Sequence, residues 1–264
     1  MKIKTYKQIF AARLLLFPIY LLSTTCTYED IKKCVTTSKP LDTYSYYPYV
    51  PGTSEWLTLG NTDNLFKVSQ LPEKNLKSIS SSGLAQSLLD NPCLMLISAY
   101  STYFIGRNAV LSRLNASFEL NKREDGAIAL VTLYNQKTPS CYPSNGSSLE
   151  QGQFIETYVL HEVVLSQDSI LNQLNRSKKI DLTKILIAKY NDKIRLGFDF
   201  GTSRLTNLLV ISQIMRLDGY APYINELVSN AELFDYANAG SGYSYGYTEL
   251  ENKILSIAQN YIQI

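Results

Sequence analysis

The single histidine, His161, limits the catalytic chemistry open to this chain. A Ser-His-Asp triad would have to use it, and a metal site with several histidine ligands is excluded. The residue four positions on is Leu165, so HEVVL does not match the H-E-x-x-H zinc pattern. With Phe154 and Tyr158 on the same helical face, His161 is expected to be partly buried with one hydrogen-bond partner. We assign no metal site, cofactor or catalytic residue.

Pairs of carboxylates are the other groups that could support catalysis. Cleavage of a glycan needs two acids at a fixed separation whose pKa values differ. The visible candidates are Glu119 with Glu124 or Asp125, and Glu156 with Glu162. A solvated helix surface accounts for each of them, and acids such as Glu124 and Asp125 suit the first turn of a helix. A carboxylate-based hydrolase acting on glycan or peptide is therefore the alternative function.

A tyrosine-rich stretch near the C-terminus offers a candidate binding surface. NAGSGYSYGY places Tyr243, Tyr245 and Tyr247 among glycines. Tyrosines on mobile loops form adaptable recognition surfaces, as antibody loops do. The alternative is an ordinary loop whose rings fold back onto the domain. These tyrosines are weak candidates for contact with an unknown protein or glycan partner.

The N-terminus has the layout of a secretory signal. Residues 1–13 hold four basic side chains and no acid, and the apolar run LLLFPIYLL follows at 14–22. That run is too short to span a bilayer but suits the apolar core of a signal peptide. We therefore predict export to the cell envelope, as an outer-membrane lipoprotein or as a periplasmic or secreted protein.

The four cysteines have different expected roles. Cys26 lies where a bacterial lipoprotein carries its lipid, although the residues before it match that motif loosely. Lipidation there is one prediction; cleavage nearby and an uncleaved anchor are the alternatives. Cys34, Cys93 and Cys141 then remain, an odd number from which no disulfide framework can be predicted. The apolar surroundings of Cys93 predict a buried free thiol.

Composition and charge argue for a globular exported domain. The chain has 264 residues, of which 45% are hydrophobic, only 18% are charged and 20 are tyrosine. A chain of this length can bury a substantial core in one domain or a tightly joined pair. Beyond residue 13 there are 21 basic against 23 acidic residues. Nothing resembles the basic surface of a nucleic-acid binder, so no nucleic acid is predicted as a partner, and the membrane is reached only through the candidate lipid anchor.

Helical patterns dominate from about residue 62 onward. In the last segment, apolar side chains recur at helical spacing from Leu250 to Tyr261, and Thr248 with Glu251 predicts a capping box at its start. No segment shows sustained apolar/polar alternation. We predict an all-α protein of about ten short to medium helices, packed as antiparallel pairs or a short superhelical stack and preceded by an extended N-terminal arm. The predicted organisation is a signal peptide at 1–25, a tether and extended aromatic arm at 26–60, and a helical domain at 61–264.

The stretch YSYYPYVPGTSEW, residues 44–56, predicts how the arm meets the domain. Its two prolines restrict the residues before them to extended geometry, so the stretch cannot be helical. Gly52 then provides a turn, and Thr53 or Ser54 a helix cap. We expect the arm to lie across the domain with Trp56 and some of Tyr46, Tyr47 and Tyr49 packed into it, and we name Trp56 and Tyr47 as structural anchors.

Three segments also carry a family resemblance: YPYVPGTSEW, LPEKNLKSISSSGLAQSLLDNPCLMLISAY and ASFELNKREDGAIALVTLYN. They resemble a large group of exported, lipoprotein-like, all-helical proteins from anaerobic gut bacteria. The resemblance covers roughly Tyr47 to Gln136 and includes the spacing from Trp56 to Pro72 to Pro92. It implies a helical domain and an envelope or secreted location, and it implies no activity.

The leading hypothesis is therefore an exported helical protein with a non-catalytic binding or structural role at the cell envelope. The alternative is the carboxylate-based hydrolase. A third hypothesis is an accessory subunit whose groove between helices takes a partner segment.

Overall fold

The computed structural model describes residues 34, 38–46, 48–197, 200–240 and 247–264, without the side chain of Tyr247. The described residues form helices and turns, with no strand among them, so the predicted all-α fold is confirmed. Eleven helices have seven or more residues, close to the predicted ten. In chain order the α-helices are α1 (Ser54–Thr58), α2 (Thr62–Val68), α3 (Glu73–Ser78), α4 (Ser81–Leu89), α5 (Tyr103–Leu111), α6 (Asn115–Lys122), α7 (Gly126–Gln136), α8 (Ser148–Leu165), α9 (Asp168–Leu171), α10 (Arg176–Arg195), α11 (Leu205–Leu217), α12 (Ala221–Ser229), α13 (Ala231–Ala239) and α14 (Tyr247–Tyr261), and 3₁₀ helices span Leu94–Ala99, Pro139–Cys141 and Gly201–Arg204.

Helix α11 is the centre of the fold. Every residue from Leu205 to Met215 is buried. A helix that is buried on all sides must be covered all round by other elements. Helices α8, α10, α12, α13 and α14 supply that cover. The core therefore forms around one helix near the C-terminal end of the chain.

Local sequence signals explain some helix starts and fail at others. The hydroxyl of Ser147 accepts from the Glu150 N–H while the Glu150 carboxylate accepts from the Ser147 N–H, a complete capping box that starts α8. The predicted capping role of Glu251 in α14 is wrong. Its carboxylate is buried and accepts hydrogen bonds from Arg204, at 2.8 and 3.1 Å, and from the Tyr190 hydroxyl. A buried carboxylate gains more from a guanidinium than from a backbone N–H at an exposed helix end.

The arm lies against α4 and is held there by side-chain hydrogen bonds. The Asp42 carboxylate accepts from the backbone N–H of Ser80 at 2.7 Å and from its hydroxyl at 3.1 Å. Further along, the Tyr44 N–H donates to the Ser87 hydroxyl at 2.7 Å. A Cβ at Gly83 would lie only 2.2 Å from Asp42 Oδ1, so the close approach of the arm depends on this glycine.

The aromatic part of the arm is anchored by one of the tyrosines expected to pack onto the domain. Tyr46 is the buried ring, with 6% of its surface exposed, and it packs edge-on against Tyr44 at 5.1 Å. Trp56 is only partly buried, on helix α1, none of whose residues is buried. The Thr53 hydroxyl accepts from the Trp56 N–H, as the predicted cap requires. Tyr47 lies outside the described residues.

Among the described residues, no helix has both the length and the apolar character needed to cross a membrane. Residues 1–25, the predicted signal peptide, and Cys26 lie outside the described part of the chain. Helix α1 begins at Ser54, before the predicted start of the helical domain at residue 61.

Candidate functional site

A cavity of about 550 Å³ lies between the arm, α4, α7 and α8. This volume falls in the range of sites that enclose small molecules, which are mostly apolar with a few polar groups. The apolar lining consists of Val50, Pro51, Leu89, Met95, Leu133 and Leu160. The polar and charged lining consists of Ser38, Lys39, Gln86, Asp90, Gln136, Lys137, Gln153, Glu156 and Thr157.

The wall supplied by the arm is fixed by an ion pair. Lys39 Nζ donates to Asp90 Oδ2 at 2.7 Å, and Gln86 Nε2 donates to Asp90 Oδ1 at 2.9 Å. Both carboxylate oxygens of Asp90 are therefore engaged, and the charges of Lys39 and Asp90 offset each other. This pair lines the cavity on the side of the arm.

Two other charged side chains line the cavity without an ion-pair partner in the described part of the chain. Lys137 follows the last residue of α7, and its ammonium donates to the Thr157 carbonyl oxygen at 2.7 Å. Glu156 lies on α8, and its Oε1 accepts from the Ser98 hydroxyl at 2.8 Å. Lys137 keeps part of its surface open, yet desolvation lowers its pKa to about 7.

Behind the cavity wall lies a buried polar cluster around Glu162. Lys193 Nζ donates to both Glu162 oxygens, at 2.8 and 2.9 Å, and neither side chain is exposed. The Tyr134 hydroxyl donates to Oε1 at 2.5 Å, and the Thr206 hydroxyl donates to Oε2. Asn207 Nδ2 donates to the Tyr134 oxygen at 2.8 Å. The Glu162 carboxylate is satisfied within the protein and closed to solvent, and only Asn207 Oδ1 of this cluster is buried without a partner, so the cluster supports the fold rather than contacting a ligand.

His161 lies beside this cluster as a buried neutral side chain. It has no exposed surface, its Nε2 lies 3.0 Å from the Leu130 carbonyl oxygen, and its ring is edge-on to Tyr134 at 5.2 Å. Burial holds the pKa of His161 well below its usual range, with the positive charge of Lys137 adding to the effect. The expected single hydrogen-bond partner is confirmed, and burial is complete rather than partial.

Of the carboxylate pairs named from the sequence, Glu156 and Glu162 lie in different environments, and Glu119 and Asp125 each have a partner of their own. Glu156 and Glu162 are six residues apart on α8, which turns them about 120° away from each other at 3.6 residues per turn. Glu156 faces the cavity while Glu162 is buried with Lys193. Glu119 is paired with Arg123 at 3.2 Å, and Asp125 accepts from the Ser81 hydroxyl.

The cysteines form a disulfide that the sequence could not predict. Cys34 is bonded to Cys141, 107 positions later, which ties the chain before the arm to the segment that follows α7. Cys93 is a free and fully buried thiol, as expected, and burial raises its pKa. The disulfide fixes the start of the arm close to one end of the cavity, since Ser38 and Lys137 both line it.

The tyrosine-rich stretch cannot be compared with the cavity. Tyr243 and Tyr245 lie outside the described residues. Tyr247 is the first residue of α14, and its side chain is not among those described. Its proposed contact role therefore stays a prediction.

A second hollow, of about 390 Å³, lies at the turn between α11 and α12. Its carboxylate, Asp218, already accepts from Lys179 Nζ and from the Tyr261 hydroxyl, each at 2.6 Å. Because both oxygens of Asp218 already accept hydrogen bonds, this carboxylate is less available to a ligand than Glu156 is in the first cavity.

Sequence reasoning named Glu156 only as part of a catalytic pair and missed Lys137 and Asp90. Lys137 directly follows an apolar helix, and Asp90 stands at the end of another, positions that are common for solvated charges. The long-range placement of the arm turns them into cavity residues, and no local pattern encodes that placement.

No group of three or more His, Cys, Asp or Glu side chains in the described ranges is arranged to hold a metal ion. The chain matches no protein-family model, no curated protein and no solved structure. The resemblance to exported proteins of gut bacteria accordingly stays a prediction.

Proposed function

We propose that this chain is an exported binding protein of the cell envelope that takes a ligand into the cavity beneath the arm and does no chemistry on it. The observation that carries the proposal is the cavity itself, with its apolar walls and its two unpaired charges, Lys137 and Glu156. A pocket of this kind suits recognition of a small or extended ligand. The lipid anchor at Cys26 is part of the same proposal.

The disulfide supports the exported location. Disulfides persist in oxidising compartments such as the periplasm or the cell surface and are rare in the cytosol. The Cys34–Cys141 bond would therefore suit a chain that the signal-like N-terminus directs out of the cytosol.

For the alternative function, a carboxylate-based hydrolase, the two acids that line the same cavity are Asp90 and Glu156. Asp90 is already bound to Lys39 and Gln86 through both of its oxygens, so it is poorly placed to act as a base or nucleophile. Binding without chemistry is the function that this arrangement favours.

A neutral apolar dye, N-phenylnaphthylamine, tests whether the cavity takes ligands. We expect a saturable rise in its fluorescence with one site per chain. Met95→Glu should weaken binding at least about fivefold, because it puts a charge on an apolar wall of the cavity, where Met95 is 47% exposed.

Phe118→Glu is the matched control, since Phe118 is 53% exposed on α6 and does not line the cavity. It should leave dye binding unchanged. Equal effects of the two variants, or no saturable binding to the wild-type protein, would contradict a ligand-binding cavity.

A further inference from the structure

The cavity beneath the arm carries enough chemistry to indicate what kind of ligand it takes, and this inference rests on the proposed function. Its charges divide into two sets. Lys39 and Asp90 neutralise each other at 2.7 Å, while Lys137 and Glu156 line the same space without an ion pair in the described part of the chain. Below about pH 7, where Lys137 carries its proton, a ligand therefore meets one free positive and one free negative group.

Both free groups keep capacity for a ligand. Lys137 carries three donors, of which one goes to the Thr157 carbonyl oxygen. Glu156 uses Oε1 to accept from the Ser98 hydroxyl, and its Oε2 has no partner among the described residues. A carboxylate at Lys137 and an ammonium at Glu156 would each complete a charge-assisted hydrogen bond.

The remaining lining suits amide groups and aliphatic side chains. The side-chain amides of Gln136 and Gln153 face the cavity and make no hydrogen bond within the described chain, so they can donate to and accept from a ligand. Four aliphatic side chains of the helices, Leu89, Met95, Leu133 and Leu160, form the apolar wall. No aromatic ring stands among the described lining residues, so a sugar ring would find no flat face to stack on.

We propose that the cavity binds short apolar peptides with free termini, the α-carboxylate at Lys137 and the α-ammonium at Glu156. A fatty acid would satisfy Lys137 but leave Glu156 beside an apolar chain, which disfavours it. A purely cationic ligand would satisfy Glu156 and face the ammonium of Lys137.

The test measures binding of the tripeptide Leu-Ala-Leu by calorimetry, beside its N-acetylated form and its C-terminal amide. We expect the unmodified peptide to bind at least about tenfold more tightly than either blocked form. Lys137→Met should remove the preference over the amide, and Glu156→Gln should remove the preference over the acetylated form. Each variant is thus matched to one end of the ligand.

Two exposed residues that do not line the cavity provide controls, Lys122→Met and Glu249→Gln, which should leave all three affinities unchanged. Equal binding of blocked and free peptides would overturn the proposal. Tighter binding of laurate than of the peptide, abolished by Lys137→Met and untouched by Glu156→Gln, would overturn it in favour of an acyl chain.

The two proposals fail separately. Dye binding that depends on Met95, with no peptide binding, would overturn the peptide ligand and leave the binding cavity in place. Absence of both would overturn both.

Discussion

At the residue scale, Glu162 is a fully buried carboxylate that accepts four hydrogen bonds. Its two oxygens accept from Lys193, Tyr134 and Thr206, and both it and Lys193 are fully buried. Moving two ions from water into a protein interior is costly, and their attraction offsets that cost only when further hydrogen bonds complete the site. Removal of one partner therefore leaves the other charge buried and uncompensated.

We expect Glu162→Gln to lower the free energy of unfolding by about 3–5 kcal/mol, the usual cost of breaking a buried pair. Urea unfolding followed by fluorescence measures it. Glu73→Gln is the matched control, because Glu73 pairs with Lys77 on an exposed surface and should show no measurable change.

A second variant tests whether the uncompensated charge of Lys193 causes the loss of stability. Glu162→Leu combined with Lys193→Met removes both charges, so it should be more stable than Glu162→Gln alone. If the double variant is the less stable of the two, the orphaned charge of Lys193 is not the cause of the loss.

At the scale of elements, the arm is held at both ends by different means. The disulfide fixes residue 34 to Cys141, and hydrogen bonds to α4 with the buried ring of Tyr46 fix residues 42–46. A cross-link between residues far apart in sequence strongly reduces the conformational entropy of the unfolded chain. Its loss therefore destabilises the protein mainly by increasing that entropy. The arm itself has few other contacts to replace it.

Replacing Cys34 and Cys141 together by serine should therefore lower the free energy of unfolding by about 2–5 kcal/mol. It should also speed chymotrypsin cleavage after Leu41, which lies on the arm and is fully exposed. Urea unfolding and timed digestion measure the two effects.

Reducing agent supplies the control for this experiment. It should destabilise the wild-type protein and leave the serine variant unchanged, because Cys93 is a buried free thiol. Wild-type protein that is indifferent to reduction would show that the bond does not contribute to holding the arm.

Local sequence signals predicted the helices well, whereas contacts between residues far apart in sequence were not predicted. The Thr53 cap is a pattern within a few residues, and it is confirmed, as is the burial of Leu250, Ile254 and Tyr261 on one stripe of α14. The pairing of Glu251 with Arg204 spans 47 positions and overrode a local cap.

The candidate site depends even more on contacts between residues far apart in sequence. Lys137, Asp90 and Glu156 come from three helices, and they share a cavity only because the arm folds back over α4. Their types are ordinary for helix ends and surfaces, so sequence spacing alone did not single out Lys137 or Asp90. Tyr46, one of the arm tyrosines expected to pack onto the domain, is buried, whereas the larger ring of Trp56 is only partly buried, since aromatic size does not say which ring faces the core.

At the scale of the whole molecule, burial shifts the pKa values of many titratable groups, and the directions of these shifts determine how stability depends on pH. Desolvation lowers the pKa of Lys137 to about 7 and of Lys189 to about 8, and it lowers the pKa of His161 well below its usual value. Burial raises the pKa of several tyrosines, Tyr134 and Tyr236 most clearly. Both sets favour the neutral form in the folded state.

The directions of these pKa shifts place the maximum of the free energy of unfolding on the alkaline side of neutrality. Between about pH 7 and 10 the unfolded chain keeps protons on lysines that the folded chain has released, so stability rises with pH. Above about pH 10 the unfolded tyrosines lose protons that the folded ones keep, so stability falls again. Below about pH 6.5, protonation of His161 in the unfolded chain lowers stability further.

We therefore expect the free energy of unfolding in urea to rise from pH 7 to pH 9.5, and Lys137→Met to flatten part of that rise because it removes one of the lysines that release a proton on folding. Lys74→Met, at an exposed position on α3, should leave the profile unchanged. A wild-type profile that is flat or falling between pH 7 and 9.5 would show that these lysines stay charged in the folded protein. Lys137 would then meet a ligand carboxylate as a permanent ammonium, and peptide affinity would not weaken as the pH rises through 7.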